Sequence, residues 1–145
     1  EYSVLSDFLY EAIFVPDGME KPPRAIIEPP ELQVYVASFG KKDDWCLVAE
    51  AEGKIAGAVW ARIMKDYGHI DNETPSLAIS LYEEYRRLGI GTALMQAMLR
   101  LLKSKGYKQT SLSVQKANYA VSMYKKVGFK VLSENEEEYI MVCKL

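Results

Sequence analysis

Histidine, cysteine and long apolar runs are scarce in this sequence, and each scarcity excludes a class of protein. One histidine, His69, and two cysteines offer no metal-ligand spacing, so we expect no metal site. Cys46 and Cys143 lie in apolar stretches typical of strands, which favours buried, reduced thiols over a disulfide. No apolar run is long enough to span a bilayer, and no signal-peptide pattern is present. We therefore expect a cytoplasmic protein without membrane association.

A strong charge of either sign is also absent. The 145 residues include 18 lysines and arginines and 20 aspartates and glutamates, for a net charge of −2. That balance argues against binding to bulk nucleic acid. With 49% hydrophobic and 26% charged residues, the composition is typical of a folded globular protein. The length suits one domain spanning residues 1–145.

Local patterns predict helices and strands that alternate along the chain. Predicted helices cover about residues 3–15, 31–38, 90–105 and 118–128, and predicted strands cover 46–51, 55–63, 77–81, 110–114, 129–133 and 139–144. Residues 16–30 hold all but one of the six prolines, which predicts a loop without regular structure. In the first helix, Asp7 and Glu11 lie opposite the apolar face and are predicted to face solvent.

The stretch with the clearest chemical meaning reads as an apolar strand, a charged turn and the start of a long helix, from Leu77 to Met95. Two glycines let a ligand approach the backbone, and the amides of a helix's first turn have no partner inside the helix. Two arginines add positive charge where the helix dipole already favours an anion. The pattern predicts a phosphate-binding turn made of Arg86, Arg87, Leu88, Gly89, Ile90, Gly91 and Thr92.

Two common phosphate-binding motifs do not fit this turn. A dinucleotide-binding fold would place a third small residue where Leu94 stands and an acidic residue near Thr110 and Ser111, where there is none. A nucleoside-triphosphate loop would need Gly-Lys-Ser or Gly-Lys-Thr, which is also missing. A nucleotide-binding protein is therefore a weaker alternative.

The order Arg86-x-x-Gly89-x-Gly91, after an apolar strand and a Glu-Glu-Tyr link, resembles the acetyl-CoA signature of the GNAT superfamily of N-acetyltransferases. The segment from Asn118 to Phe129 resembles the second signature of that superfamily. The resemblance implies an α/β fold of mixed α+β type, with a mostly antiparallel central sheet, a splayed parallel strand pair and about four helices. It also implies transfer of an acetyl group from acetyl-CoA to a primary amine of a small molecule or protein, by direct attack in a ternary complex.

The same resemblance implies roles for individual residues. Pantetheine would pair like an extra strand with Ile79, Ser80 and Leu81, and a backbone amide near Leu81 would polarise the thioester carbonyl. Tyr124 would protonate the departing thiolate, and Asn118 would contact the pantetheine arm. From the residues alone, Tyr124 is more simply a buried aromatic on a helix, and Asn118 is equally well a helix cap.

The residue that removes the proton of the acceptor amine is not marked by any motif. Five ionisable residues lie near the cofactor strand and are candidates for the base: His69, Asp71, Glu73, Glu83 and Glu84. Glu73 is ranked first because it precedes the strand most closely. We predict an acceptor pocket between residues 16–30, residues 65–75 and that strand. The acidic residues of these segments favour a cationic amine: Asp17, Glu20, Glu28, Asp66, Asp71 and Glu73.

One further class stays open beside the enzyme. A non-catalytic acyl-CoA-binding sensor or interaction module would need the same turn, although it would not need the hydroxyl of Tyr124. No pattern indicates an oligomeric state, so a homodimer is an open alternative. The main hypothesis is an acetyl-CoA-dependent N-acetyltransferase.

Overall fold

The computed structural model describes residues 4–13, 19–64 and 69–145. Its helices are α1 (Val4–Ala12), α2 (Pro30–Gln33), α3 (Ile90–Ser104) and α4 (Ala120–Lys126). Its strands are β1 (Trp45–Ala51), β2 (Lys54–Arg62), β3 (Ser76–Leu81), β4 (Gln109–Gln115), β5 (Lys130–Glu134) and β6 (Glu138–Lys144). Two short 3-10 helices, Arg24–Ile27 and Glu83–Tyr85, complete the described elements. The predicted mixed α/β fold is confirmed.

The strands form one six-stranded sheet in the order β1-β2-β3-β4-β6-β5. All neighbouring strands are antiparallel except β3 and β4, which are parallel. These two strands share a single register pair, Ser76 opposite Ser111, where the Ser111 amide donates to the Pro75 carbonyl at 3.0 Å. Beyond this pair the strands separate, which confirms the predicted splayed parallel pair.

Alternating side chains of the central strands fill a core on each face of the sheet. Leu77 of β3 packs with Met95 and Met98 of α3 in one core, which also includes Tyr124 of α4. Ala78 of β3 packs on the other face against the core of α1. Because neighbouring side chains on a strand point to opposite faces, β3 is covered on both sides. Its C-terminal end therefore lies between α1 and the start of α3.

Two predictions about the first forty residues are wrong. The proline-rich segment contains a 3-10 helix at Arg24–Ile27, and Pro30 opens α2. Proline suits the first position of a helix because an N–H there would have no partner within the helix. The predicted helix 31–38 is shorter than expected, since α2 ends at Gln33. Residues 14–18, part of the predicted loop, lie outside the described residues.

Candidate active site

A cavity of about 1300 Å³ opens beside the gap between β3 and β4. Its walls come from the last turn of α1, the chain after it, the end of β3, the turn into α3, and α4 with the residues before it. Pockets for single small molecules are usually about 300–1000 Å³. The larger volume suits a long ligand together with a second molecule.

The edge of β3 that faces this gap carries backbone groups that β4 does not pair. The amide of Tyr82 donates to the Ala56 carbonyl of β2 at 3.0 Å, whereas the Pro75 carbonyl accepts from the Ser111 amide of β4. Backbone groups alternate between the two edges of a strand, so the amides and carbonyls of Ile79 and Leu81 point into the gap. The Leu81 carbonyl accepts a hydrogen bond from Arg86, whereas the amide and carbonyl of Ile79 and the amide of Leu81 form a free edge to which an extended ligand could add.

The turn into α3 presents unpaired amides to the same cavity. Gly89 has φ 84°, a left-handed conformation that favours glycine. The first hydrogen bond of the helix runs from the Ala93 amide to the Gly89 carbonyl at 3.1 Å. The amides of Ile90, Gly91 and Thr92 precede it and have no partner within the helix. Gly89, Gly91 and Thr92 line the cavity, while the side chain of Leu88 is exposed.

The two arginines of the turn have different surroundings. The guanidinium of Arg87 lies over the ring of Tyr119, 5.4 Å from its centre, at the cavity wall. The guanidinium of Arg86 is engaged elsewhere. Its Nε donates to the Leu81 carbonyl at 3.0 Å, and its Nη2 donates to the Glu11 carbonyl at 3.1 Å. The structure therefore uses the side chain of Arg86 to join the end of β3 to α1.

The side chain of Leu81 is held between two glycines. A Cβ atom at Gly57 of β2 would lie 2.8 Å from Leu81 Cγ, and a Cβ atom at Gly91 would lie 3.3 Å from Leu81 Cδ1. Any larger residue at Gly57 would push against Leu81 and the Ser80 carbonyl. The two small residues thus let the end of β3 come close to the first turn of α3.

Tyr124 is buried at the wall of the cavity. Its ring packs edge-on against Phe129, with 6.0 Å between ring centres. Burial, with a smaller contribution from Tyr119, raises the pKa of the Tyr124 phenol well above its ordinary value. Within the described part of the chain, no hydrogen bond to the Tyr124 hydroxyl is found. A buried hydroxyl without a partner at a cavity wall is available to a bound ligand.

Asn118 also lines the cavity, and its side chain caps α4. Its Oδ1 accepts a hydrogen bond from the Ala120 amide at 2.9 Å. The interpretation of Asn118 as a helix cap is therefore confirmed. Capping occupies one side of the amide group and leaves its NH2 for other partners.

Two predicted site residues are placed differently from what we expected: Ser80 lines the cavity but turns its backbone away from the gap, and Glu73 does not reach the cavity. Ser80 directs its backbone toward β2, and its hydroxyl donates to the Phe8 carbonyl of α1 at 2.7 Å. Glu73 lies in the turn before Ser76, at the other end of β3 from Leu81, which is more than about 15 Å along a strand. Its side chain is exposed and does not line the cavity. The prediction of Glu73 as the base is not supported by this placement.

The predicted acidic acceptor pocket is also not found in the described residues. Of its six acidic residues, Asp17 and Asp66 lie outside the described residues, and the other four do not line the cavity. The basic side chains that line it outnumber the acidic ones: Lys21, Arg86, Arg87 and Lys126 against Glu11 and Glu83.

Sequence reasoning missed Glu11, which it assigned to solvent. The side chain of Glu11 is only 16% exposed, lines the cavity and approaches Arg86, with Oε2 to Nη2 at 3.4 Å. Its neighbour Tyr10 also lines the cavity and donates through its hydroxyl to the Pro22 carbonyl at 2.6 Å. Helical periodicity separates polar from apolar faces but cannot tell a solvent-facing polar side chain from one that faces a cavity.

Residues 4–13, 19–64 and 69–145 offer neither a metal site nor a membrane-spanning helix. Among them no group of three or more histidine, cysteine, aspartate or glutamate side chains could hold a metal ion. No described helix combines the length and the apolar character needed to cross a membrane.

Comparison with known proteins shows which family this chain resembles over most of its length. Residues 5–141 match the family described as Acetyltransferase (GNAT) domain. The chain is 32% identical over 130 residues to an N-alpha-acetyltransferase of Sulfurisphaera tokodaii, covering 79% of this chain and 73% of that protein. It is 31% identical over 114 residues to an N-alpha-acetyltransferase of Sulfolobus acidocaldarius, covering 68% and 67%.

Solved structures share the fold at lower identity. PaiA N-acetyltransferase from Thermoplasma acidophilum, in complex with coenzyme A, superposes with a TM-score of 0.71 at 24% identity, covering 99% of this chain and 92% of that one. The ribosomal-protein-S18-alanine N-acetyltransferase from Escherichia coli gives 0.69 at 17% identity, covering 99% and 86%. The comparisons support acetyl transfer and not the non-catalytic sensor. The chain belongs to the GNAT superfamily of N-acetyltransferases.

Proposed function

We propose that this enzyme transfers the acetyl group of acetyl-CoA to the α-amino group at the N-terminus of a protein or peptide. The observation that carries the proposal is one cavity that holds both the free edge of β3 and the unpaired amides of α3, and that extends to α1. Curated relatives named N-alpha-acetyltransferase, at 30–32% identity, support this class of acceptor.

The residues present fit coenzyme A as the carrier of the acetyl group. The amides of Ile90, Gly91 and Thr92 would bind its pyrophosphate, since unpaired amides at a helix N-terminus favour an anion. Arg87 at the rim would add positive charge. The amide and carbonyl of Ile79 and the amide of Leu81 would hydrogen-bond to the pantetheine arm as a neighbouring strand would, since the Leu81 carbonyl is already bonded to Arg86. Asn118 would reach the same arm through its NH2.

The amide of Leu81 would polarise the thioester carbonyl. It points into the gap, and its position is constrained by Gly57, Gly91 and the bond from Arg86 to the Leu81 carbonyl. A donor that is held in place before the reaction is worth roughly 3 kcal/mol of transition-state stabilisation. Because the same cavity extends to α1, an amine can be present together with the thioester, as direct attack requires.

Tyr124 would donate the proton that the departing thiolate takes up. The amine nitrogen would form a bond to the carbonyl carbon, the carbon–sulfur bond would break, and the sulfur would receive the phenolic proton. The nitrogen would release its extra proton to water, and the Tyr124 phenolate would take a proton back from water before the next turnover. The raised pKa of Tyr124 keeps the phenol protonated before the reaction. The same burial would also raise the pKa of the thiol that forms beside it. The difference between the pKa values of the phenol and the thiol would therefore stay small enough for proton transfer.

A test uses the purified protein, acetyl-CoA and pairs of synthetic hexapeptides. One peptide has a free α-amine and no lysine, and its partner has a blocked N-terminus and one lysine. We expect thiol release and acetylation of the free α-amine only. Acetylation of the lysine peptide alone would move the acceptor to a side-chain amine, and acetylation of butylamine alone would move it to small molecules. A cytoplasmic location and a homodimer remain predictions.

A further inference from the structure

Arg86 holds the carboxylate of Glu11 close to Leu81, where the thioester is expected to bind. Its Nε bonds to the Leu81 carbonyl at 3.0 Å, and its Nη2 lies 3.1 Å from the Glu11 carbonyl and 3.4 Å from Glu11 Oε2. One guanidinium group therefore separates the backbone of Leu81 from the carboxylate of Glu11. The ion pair is partly buried, at 30% exposure for Arg86 and 16% for Glu11.

Glu11 is the more sheltered of the two carboxylates that line the cavity in the described part of the chain. The other, Glu83, is 76% exposed and lies 3.8 Å from Lys21 at the rim. The rest of the ionisable wall is basic, so an ammonium ion would be repelled from most of it. The α1 side of the cavity, where Glu11 lies, is therefore the part of the wall that favours a positive charge.

We propose that Glu11 binds the protonated amine of the acceptor and that Arg86 positions its carboxylate for this purpose. The inference rests on the proposed function and names the residue that recognises the substrate. A carboxylate has about four acceptor sites on two oxygens, and Arg86 approaches only Oε2. Within the described residues no donor reaches Oε1, which is left for an ammonium group.

The position of Glu11 also explains how an acceptor is brought to the thioester. α1 is fixed to β3 by the bond from the Ser80 hydroxyl to the Phe8 carbonyl, one turn before Glu11. The chain after α1 is held by the bond from Tyr10 to the Pro22 carbonyl. An ammonium bound at Glu11 is therefore close to Leu81 and needs only to lose its proton to water before it attacks.

The test compares Glu11→Gln with Asp7→Asn. Asp7 is on the same helix, is also paired with an arginine, Arg24, and does not line the cavity. With the free-amine hexapeptide as probe, Glu11→Gln should raise the KM for peptide about 10-fold to 100-fold, as expected for the loss of a charge-assisted hydrogen bond. The Kd for acetyl-CoA and the Tm should stay within about twofold and a few degrees of the Asp7→Asn values. Glu11→Asp, which keeps the charge but shortens the side chain, should give an intermediate KM.

Two outcomes would overturn the assignment of Glu11. One is an unchanged KM for the peptide. The other is a parallel loss of acetyl-CoA affinity and Tm, which would make Glu11 only an anchor for Arg86. The wild-type enzyme tests the proposed function separately. If it acetylates neither of the hexapeptides nor butylamine, the proposed function and this inference are rejected together. An active wild type with an unaffected Glu11→Gln variant rejects the inference alone.

Discussion

Burial in the folded protein raises the pKa of the Tyr124 phenol, which the position of this residue in the sequence does not reveal. The phenol is enclosed beside Phe129, and this burial raises its pKa. Among the described residues its hydroxyl has no hydrogen-bond partner. A residue kept only for packing would gain nothing from that hydroxyl, since a buried polar group without a partner costs stability. The role that we propose for Tyr124, as a proton donor to a bound ligand, would account for the hydroxyl.

Replacing Tyr124 with phenylalanine separates catalysis from packing. The ring remains, so the Tm should barely change, while turnover should fall by about a hundredfold to ten-thousandfold if the phenol protonates the thiolate. Because burial raises the pKa of Tyr124, its phenol is protonated at both about pH 7 and about pH 9, and the loss should be equal at the two values. Steady-state kinetics with acetyl-CoA at the two pH values measures the loss of turnover.

Tyr139→Phe is the matched control for this prediction. Tyr139 lies on β6, is half-buried and does not line the cavity, so its hydroxyl should not affect turnover. If Tyr124→Phe kept full activity, we would conclude that Tyr124 has only a structural role and that the thiolate leaves without taking a proton from the protein.

At the scale of elements, the contact between β3 and α3 forms the end of the cavity where we propose that acetyl-CoA binds. Leu81 lies between Gly57 on β2 and Gly91 in the first turn of α3, and the strand and the helix approach closely because neither glycine has a side chain. The helix then directs its free amides at the cavity. A β-carbon at Gly91 would lie 3.3 Å from Leu81 Cδ1 and 3.9 Å from Met123 Cε, and both of these residues line the cavity.

Gly91→Val should therefore block the site while leaving the helix in place. The φ angle of Gly91 is not positive, so valine causes no backbone strain there. We expect the Kd for acetyl-CoA measured by calorimetry to rise strongly, at least about 100-fold, because the added methyl groups crowd the Leu81 and Met123 side chains at the cavity wall. Ala93→Val is the control, since Ala93 is exposed two residues further along the same helix. Similar affinity in the two variants would place the cofactor elsewhere.

At the scale of the whole molecule, a buried ion pair connects the region of α2 to the sheet. Arg62 of β2 bonds through Nη2 to Asp44 Oδ2 at 3.0 Å, and the two side chains are 7% and 5% exposed. Arg62 also donates to the Val34 and Ala37 carbonyls, at 3.2 and 2.8 Å. One guanidinium thus satisfies backbone groups that a short, irregular segment leaves unpaired.

Asp44→Ala should destabilise the protein by about 3–5 kcal/mol, because it leaves Arg62 buried without its carboxylate. Urea unfolding followed by circular dichroism measures the change in free energy. The double variant Asp44→Ala with Arg62→Met should lose less than Asp44→Ala alone, since no unpaired charge is then buried. A double variant that is less stable than the single one would show that the bonds from Arg62 to the carbonyls matter more than its charge.

Much of the fold was predictable because strands and long helices follow local periodicity. β3, α3 and the closing strands lie within a few residues of their predicted bounds. The segment from 19 to 38 was predicted poorly, since short helical turns around prolines depend on packing more than on pattern. For the site, the glycine turn and Tyr124 could be named from motifs. Glu11 could not, because only the packing of α1 on β3 brings it to the cavity.

The sequence by itself determined the elements that local chemistry dictates. These are the strand–turn–helix from Leu77 to Met95 with its free amides, the cap at Asn118 and the position of a tyrosine on α4. The tertiary structure alone decided which side chains meet across long separations. It put Glu11 next to Arg86, 75 residues further along the chain, turned Arg86 from the phosphate turn to α1, and left Glu73 at the far end of β3. The physical reason is that periodicity sets which face a residue occupies, whereas strand order and helix packing set what that face meets.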